Sequence, residues 1–235
     1  MKTHRNPASF PPGRAAAFFL FALALASCAR RVPVLIPPAT GVEAVAGFGS
    51  ASIEGEEVAL KGKFAFTFRT PGLGRIEAFD PFGRMIYYMV FGSGRAYLVL
   101  PSKKAYAEEA PETLMNRYLG FPLLPDEVIL LLGGQWNGGE ADGGPGGAWA
   151  LERDGPGRVV RGEKKGFRFK VPEFFPGGGV PRVVLFSRAG ASGRVKILSL
   201  SFNPPPRPEA FETSFLKSFS RKSWEEIQEI ARDEG

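Results

Sequence analysis

Between Glu57 and Phe91 the chain carries a stretch of strict two-residue alternation. Val58, Leu60, Gly62, Phe64, Phe66 and Phe68 take every second position, with Glu57, Ala59, Lys61, Lys63, Ala65, Thr67 and Arg69 between them. A period of two sends the two sets to opposite faces of a β-strand, so one face is dry and bears three phenylalanines. Apolar runs at Gly74–Phe79 and Met85–Phe91 follow, separated by the turn Asp80-Pro81-Phe82-Gly83. Together they predict a continuous antiparallel sheet. Its apolar wall faces either a packed core or a cavity for an apolar ligand. The residues placed to line such a cavity are Phe64, Phe66, Phe68, Met85, Tyr87 and Met89, methionine being adaptable to ligands of varying shape. On the third run Ile86, Tyr88 and Val90 make the opposite face apolar as well.

The N-terminus reads as an address. Lys2, Arg5 and Arg14 form a basic region, and Ala15–Ala26 is an apolar run too short to span a bilayer as a helix. It leads into Leu25-Ala26-Ser27-Cys28, which resembles the lipobox of bacterial lipoproteins. That resemblance implies a signal peptide over residues 1–27, diacylglyceryl attachment to the Cys28 sulfur, cleavage before it and acylation, palmitate for example, of the new amine. Ala29 is not an aspartate, which in proteobacterial lipoproteins implies sorting to the outer membrane. Several acyl chains anchor stably where one is marginal. Cys28 is the only cysteine, so no intrachain disulfide is available.

Removing the signal leaves 208 of the 235 residues, enough for one domain with a sizeable core. Three of the 30 basic residues leave with it, so 27 face 24 acidic ones and the formal charge falls from +6 to +3. This mild bias favours anionic lipid surfaces and is too dispersed for a nucleic-acid footprint. The single histidine, His4, also leaves, which removes histidine-dependent triads and most zinc sites. No catalytic residue, cofactor or metal site is expected. The adjacent Glu108 and Glu109 are the best acidic pair, and they read as a solvated strand end.

Residues 28–41, with Pro33, Pro37 and Pro38, read as an extended tether. Val42–Ile53, Arg95–Leu100 and Lys103–Glu108 read as further strands. Pro111–Leu119 and Pro125–Leu132 read as short helices; Pro125 suits a first helical position, and Asp126 and Glu127 complement the positive helix end. Leu119, Phe121, Leu123 and Leu124 join them, either as core or as a lid over a pocket. Gly133–Gly147 holds eight glycines in fifteen residues and reads as a loop. Strands resume at 148–153, 158–162, 166–171, 181–188 and 194–202, giving ten or eleven in all, enough to curl into a barrel or half-barrel. Residues 203–235 form a proline-rich connector, a run with Phe211, Phe215, Leu216 and Phe219 at helical spacing, and a helix opened by the capping box Ser223-Trp224-Glu225-Glu226.

The lipobox, the hairpin tip Asp80-Pro81-Phe82-Gly83, and Leu119-Gly120-Phe121-Pro122-Leu123-Leu124-Pro125 running on to Leu131-Leu132-Gly133 together resemble the LolB family of the LolA/LolB superfamily. The resemblance spans residues 42–202; the C-terminal extension lies outside the family pattern. It implies an outer-membrane lipoprotein anchored on the periplasmic face. Its mainly β fold would be an unclosed, curled antiparallel barrel with short helices covering the mouth. The cavity would hold the acyl chains of lipoproteins received from a LolA-like periplasmic carrier, and Phe82 would be the tip that enters the membrane. By its turn chemistry alone, Phe82 either folds back onto the sheet or projects from it. A structural or assembly lipoprotein of the cell envelope, with a filled core and no cargo, is the alternative.

Overall fold

A computed structural model describes residues 34–36, 41–55, 59–119, 123–134 and 149–232. Cys28, Phe121 and residues 135–147 of the glycine-rich loop lie outside the described residues, while Gly133 ends a helix and Gly134 caps it. The strands are β1 (Val34–Ile36), β2 (Ala44–Gly55), β3 (Ala59–Arg69), β4 (Leu73–Phe79), β5 (Met85–Gly92), β6 (Arg95–Leu100) and β7 (Ala105–Glu109). After helices α1 (Pro111–Leu119) and α2 (Pro125–Gly133) come β8 (Ala150–Arg153), β9 (Val159–Lys164), β10 (Phe167–Phe174), β11 (Pro181–Arg188) and β12 (Ala191–Phe202). The two-residue β13 (Ser220–Arg221) and helix α3 (Trp224–Arg232) close the chain.

All thirteen strands belong to one sheet, ordered β13-β7-β6-β5-β4-β3-β2-β12-β11-β10-β9-β8, with β1 added beside β12. The two ends of this order do not pair among the described residues, so the sheet curls without closing, as expected. Its hairpins are antiparallel and local, and two parallel pairings tie in the ends of the chain. β1 pairs with the second half of β12, Val34 opposite Ser199, so part of the expected tether is a strand. β13 adds to the edge of β7, where the Ser220 amide donates to the Lys104 carbonyl at 2.7 Å. Edge coverage of this kind blunts a sheet's tendency to pair with other chains.

The curl depends on glycines opposite phenylalanines. Gly47 pairs with Phe66 and Gly49 with Phe64 across β2 and β3. A Cβ on Gly47 would lie 2.6 Å from the Phe66 ring and 2.4 Å from the Ser199 carbonyl oxygen, so the ring lies flat over bare backbone. The arrangement recurs with Phe68 over Gly74, Phe169 over Gly162 and Phe186 over Gly193. Aromatic rings lying across such glycines cover backbone where a sheet bends sharply.

The concave face holds the main core, joined by Leu114 and Met115 of α1, Ile129, Leu131 and Leu132 of α2, and Ile227 of α3. The convex face carries a second, smaller cluster. Tyr88, Val90 and Val99 point away from the concave side there and are covered by Leu216, with Phe215 and Phe219 beside it. This explains why both faces of β5 are apolar. The segment read as helical from its phenylalanine spacing instead forms two short 3-10 turns, Pro208–Phe211 and Ser214–Ser218. It runs over the convex face, passes the β7 edge through β13 and delivers α3 to the concave side. The capping box forms as read: the Glu226 amide donates to Ser223 Oγ at 3.2 Å and the Ser223 amide to Glu226 Oε2 at 2.7 Å.

Candidate functional site

An apolar cavity of about 140 Å³ lies between the β3–β4 wall, the β11–β12 wall and helix α2. Phe64, Phe66 and Phe68 line it from β3, with ring centroids 5.8 and 6.0 Å apart along the row. Tyr87 also lines it; Met85 and Met89 do not. The reason is a bulge. Ala78 pairs with Tyr87 but Phe79 pairs with Met85, leaving Ile86 as the extra residue. Bulges re-aim side chains, and here Ile86 reaches the cavity mouth while Met85 sits partly exposed outside it. Met89 is fully buried in the packed part of the core.

Helix α2 supplies the cover. Leu123 is buried and lines the cavity, joined by Val128, Leu131 and Leu132. Leu124 is half-buried at the helix N-cap. Leu119 ends α1, and Phe121 falls outside the described residues. The 128/131/132 spacing is the i, i+3, i+4 stripe of one helical face, a signal that would have found the lining residues the sequence reading missed on this helix. On the far wall Val184, Phe186, Val195 and Ile197 follow from period two in the same way.

Polar contacts clamp the N-terminal end of α2. The Gly72 amide in the β3–β4 turn donates to Asp126 Oδ1 at 3.0 Å. Glu127 accepts three bonds: from the Leu124 amide at 3.0 Å, from Trp149 Nε1 at 2.8 Å and from Lys164 Nζ at 2.5 Å. Lys164 and Glu127 are the buried charged residues of the described core. Such a pair persists because each charge and the remaining lone pairs are satisfied, and removing one partner strands the other. Trp149 in turn packs on Phe167 and Phe169, at 6.0 and 5.5 Å between centroids.

The mouth of the cavity lies at the end of the sheet that holds the β4–β5 and β11–β12 turns. Lys61, Gly62, Lys63, Phe79 and Ile86 surround it. Just beyond, the β4–β5 turn holds Phe82 out at 86% exposure. Asp80 rigidifies this turn: its carboxylate accepts from the Phe82 amide at 2.8 Å, the Arg84 amide at 2.9 Å and Arg84 Nε at 2.7 Å. Loss of solvation at Asp80 pulls its pKa upward, but the bonds from Arg84 and Phe82 outweigh it and hold the carboxyl below its usual range. Pro81 fixes φ and Gly83 takes φ of 85°. Phe82 therefore projects. Glu108, by contrast, is tied up in pairs with Arg95 and Arg221 at the β7 edge, and Glu109 with Arg117. Among the described residues no cluster of His, Cys, Asp and Glu could hold a metal, and no helix is long and apolar enough to cross a membrane.

An unclosed, curled antiparallel sheet covered by short helices defines a LolA-type fold, and solved structures bear this out. The chain is similar to a DUF1329 family protein from Desulfovibrio piger, with a TM-score of 0.53 at 10% identity over 86% of this chain and 98% of that one. It is similar to a putative outer membrane lipoprotein-sorting protein domain from Vibrio parahaemolyticus, with a TM-score of 0.52 at 11% identity over 75% and 92%. A LolA superfamily protein from Nitrosomonas europaea gives a TM-score of 0.50 at 10% identity over 77% and 94%. No protein-family model matches the chain, and no curated protein matches it. At these identities the likeness is one of fold.

Proposed function

We propose that this protein is a LolB-like, lipid-anchored outer-membrane lipoprotein that binds acyl chains inside the half-barrel. On this reading it accepts lipoproteins from a LolA-like periplasmic carrier and inserts them into the outer membrane, catalysing no reaction. The observation that carries the reading is the apolar cavity opening beside an exposed, rigidly held Phe82. A chain in the cavity gains about 0.8 kcal/mol per buried methylene, and the membrane offers a similar gain, so transfer needs no ATP. Cys28 supplies the anchor, and Phe82 touches the bilayer.

The size of the cavity sets the loading step. A cavity of about 150 Å³ holds a benzene-sized guest, so the closed form admits a short stretch of chain. A full acyl chain enters as α2 lifts from the β3 wall, exchanging the contacts of Val128, Leu131 and Leu132 for contacts with the chain. Mass spectrometry of material co-purifying with the protein from membranes tests the reading. Acylated peptides or lipids at near-stoichiometric amounts are expected; a bare protein would contradict it and favour a structural lipoprotein.

A further inference from the structure

The strands that line the cavity with one set of side chains turn the alternate set to the convex face. Phe64 on β3, Val195 and Ile197 on β12 and Phe169 on β10 point inward. Lys61, Lys63, Arg194, Lys196 and Lys170 therefore point outward. Register gathers them into one patch. Lys61 lies opposite Ser52, Ser52 opposite Arg194, Arg194 opposite Leu185, and Leu185 opposite Lys170. Beside that row Lys63 lies opposite Ser50, and Ser50 opposite Lys196. At the usual strand spacing the patch is about 19 Å across. Lys196 is half-buried and the other four cations are exposed, and none of the five has an ion-pair partner among the described residues. Elsewhere on this face charges neutralise one another: Arg75 with Glu77, Arg161 with Glu152, Arg168 with Glu163. Glu54 is the described acid beside the patch, at its end opposite Ser192. The C-terminal strap covers the convex side of β5 and β6 and leaves the patch bare. From these features we infer that the convex face over β3, β2, β12 and β10 docks on an anionic membrane, with Lys61, Lys63, Lys170, Arg194 and Lys196 against the lipid headgroups.

The physical basis is surface potential. Anionic lipids attract each nearby Lys or Arg, worth about fivefold in partition per cation, and the attraction fades within a Debye length. Leu185, 37% exposed in the middle of the row, adds an apolar contact. Covalent reach favours the same face. Cys28 lies six residues before Val34, which pairs with Ser199, three residues past Lys196. Six residues span at most about 20 Å, so an anchor at Cys28 keeps this part of the sheet beside the bilayer. Lys63 pairs with Phe79, three residues before Phe82, so patch and tip adjoin. The inference rests on the membrane-anchored reading above and adds the surface that meets the lipid.

Co-sedimentation of the unacylated mature chain, residues 28–235, with lipid vesicles tests the inference. Partition onto phosphatidylcholine vesicles containing about one-third phosphatidylglycerol should exceed that onto phosphatidylcholine alone by about thirtyfold or more, and should fall in high salt. Arg194→Gln/Lys196→Gln should weaken it about ten- to thirtyfold, and Lys61→Gln/Lys63→Gln on a separate strand by a similar factor. Arg207→Gln/Lys217→Gln makes the same change in net charge on the C-terminal strap and should cost no more than about threefold. All three variants should keep the wild-type unfolding midpoint. Equal partition onto both vesicles, or equal losses from strap and patch, overturns the docking surface. Retention on immobilised polyglutamate without vesicle binding would give the patch to an acidic protein and also overturns it. Binding of a fluorescent fatty-acid probe should be unchanged in Arg194→Gln/Lys196→Gln. Absence of probe binding by the wild-type protein would overturn the acyl-chain reading and leave the vesicle result standing.

Discussion

Two strands on either side of the cavity carry phenylalanines at alternate positions: Phe64, Phe66 and Phe68 on β3, Phe167 and Phe169 on β10. Both rows use the same device, with Phe64 over Gly49 and Phe169 over Gly162. On β10 Trp149 stands on both rings and Glu127 holds the indole in place, which seals Phe169 off and leaves only Phe167 in contact with the cavity. On β3 all three rings face the cavity, and burial falls off from Phe68 toward the half-buried Phe64 at the mouth. Alternation thus decides which face a ring occupies. What lies above the ring is decided by residues far away in sequence, and this separates a filled core from a binding wall.

The largest effects should fall on the sealed side. Lys164→Ala strands the Glu127 carboxylate in the core and should cost about 3–5 kcal/mol in urea unfolding. Phe169→Ala should cost about as much through the cavity it leaves. Phe64→Ala, at the mouth, should cost about half that or less. Equal losses at Phe64 and Phe169 would erase the contrast between the two walls.

The C-terminal strap sharpens the comparison, because it touches both faces of the sheet and yet, among its described residues, none lines the cavity. Truncation after Pro208 should lower the thermal midpoint by exposing Tyr88 and Val90 and by withdrawing Ile227. It should not raise the binding of a fluorescent fatty-acid probe. An increase in probe binding with the fold retained would make α3 a plug.

Smaller still is the stability effect at the hairpin tip. Phe82→Glu should change stability by no more than about 0.5 kcal/mol, while abolishing delivery of a lipidated peptide to liposomes. A loss of several kcal/mol would place Phe82 in the core. The turn itself should resist acid. The Asp80 carboxyl is held below its unfolded value of about 3.9, so its stabilising bonds are present above that pH and are lost only as pH falls through the lower folded value. The Phe82 and Arg84 amide resonances should therefore shift only below about pH 4, and Asp80→Asn should remove that step.

Much of this architecture is legible in the sequence because it is local. Period two gives the strands of the hairpins, Pro125 and Asp126 mark the start of α2, and the capping box marks α3. The residues that escape are those whose partners are distant. Val34–Ile36 is written as a proline-flanked tether and becomes a strand only because β12 offers it an edge more than 160 residues away. Glu163-Lys164-Lys165-Gly166 looks like a solvated turn, and Lys164 is buried because Glu127 waits for it on α2. Met85 obeys the alternation in sequence and loses it to the bulge at Ile86. Phe211, Phe215 and Phe219 have helical spacing, and the need to wrap a sheet edge draws the first two into 3-10 turns and leaves Phe219 extended after the second.

The central claim is that the space between the β3 wall and α2 receives an acyl chain. Titration of the delipidated protein with a fluorescent fatty-acid probe tests it most directly, beside an Ala51→Phe variant that fills the cavity from β2. The account predicts saturable one-site binding, competed by unlabelled palmitate and lost in the variant while its unfolding midpoint is kept. Absence of saturable binding, or binding that Ala51→Phe leaves untouched, would contradict it.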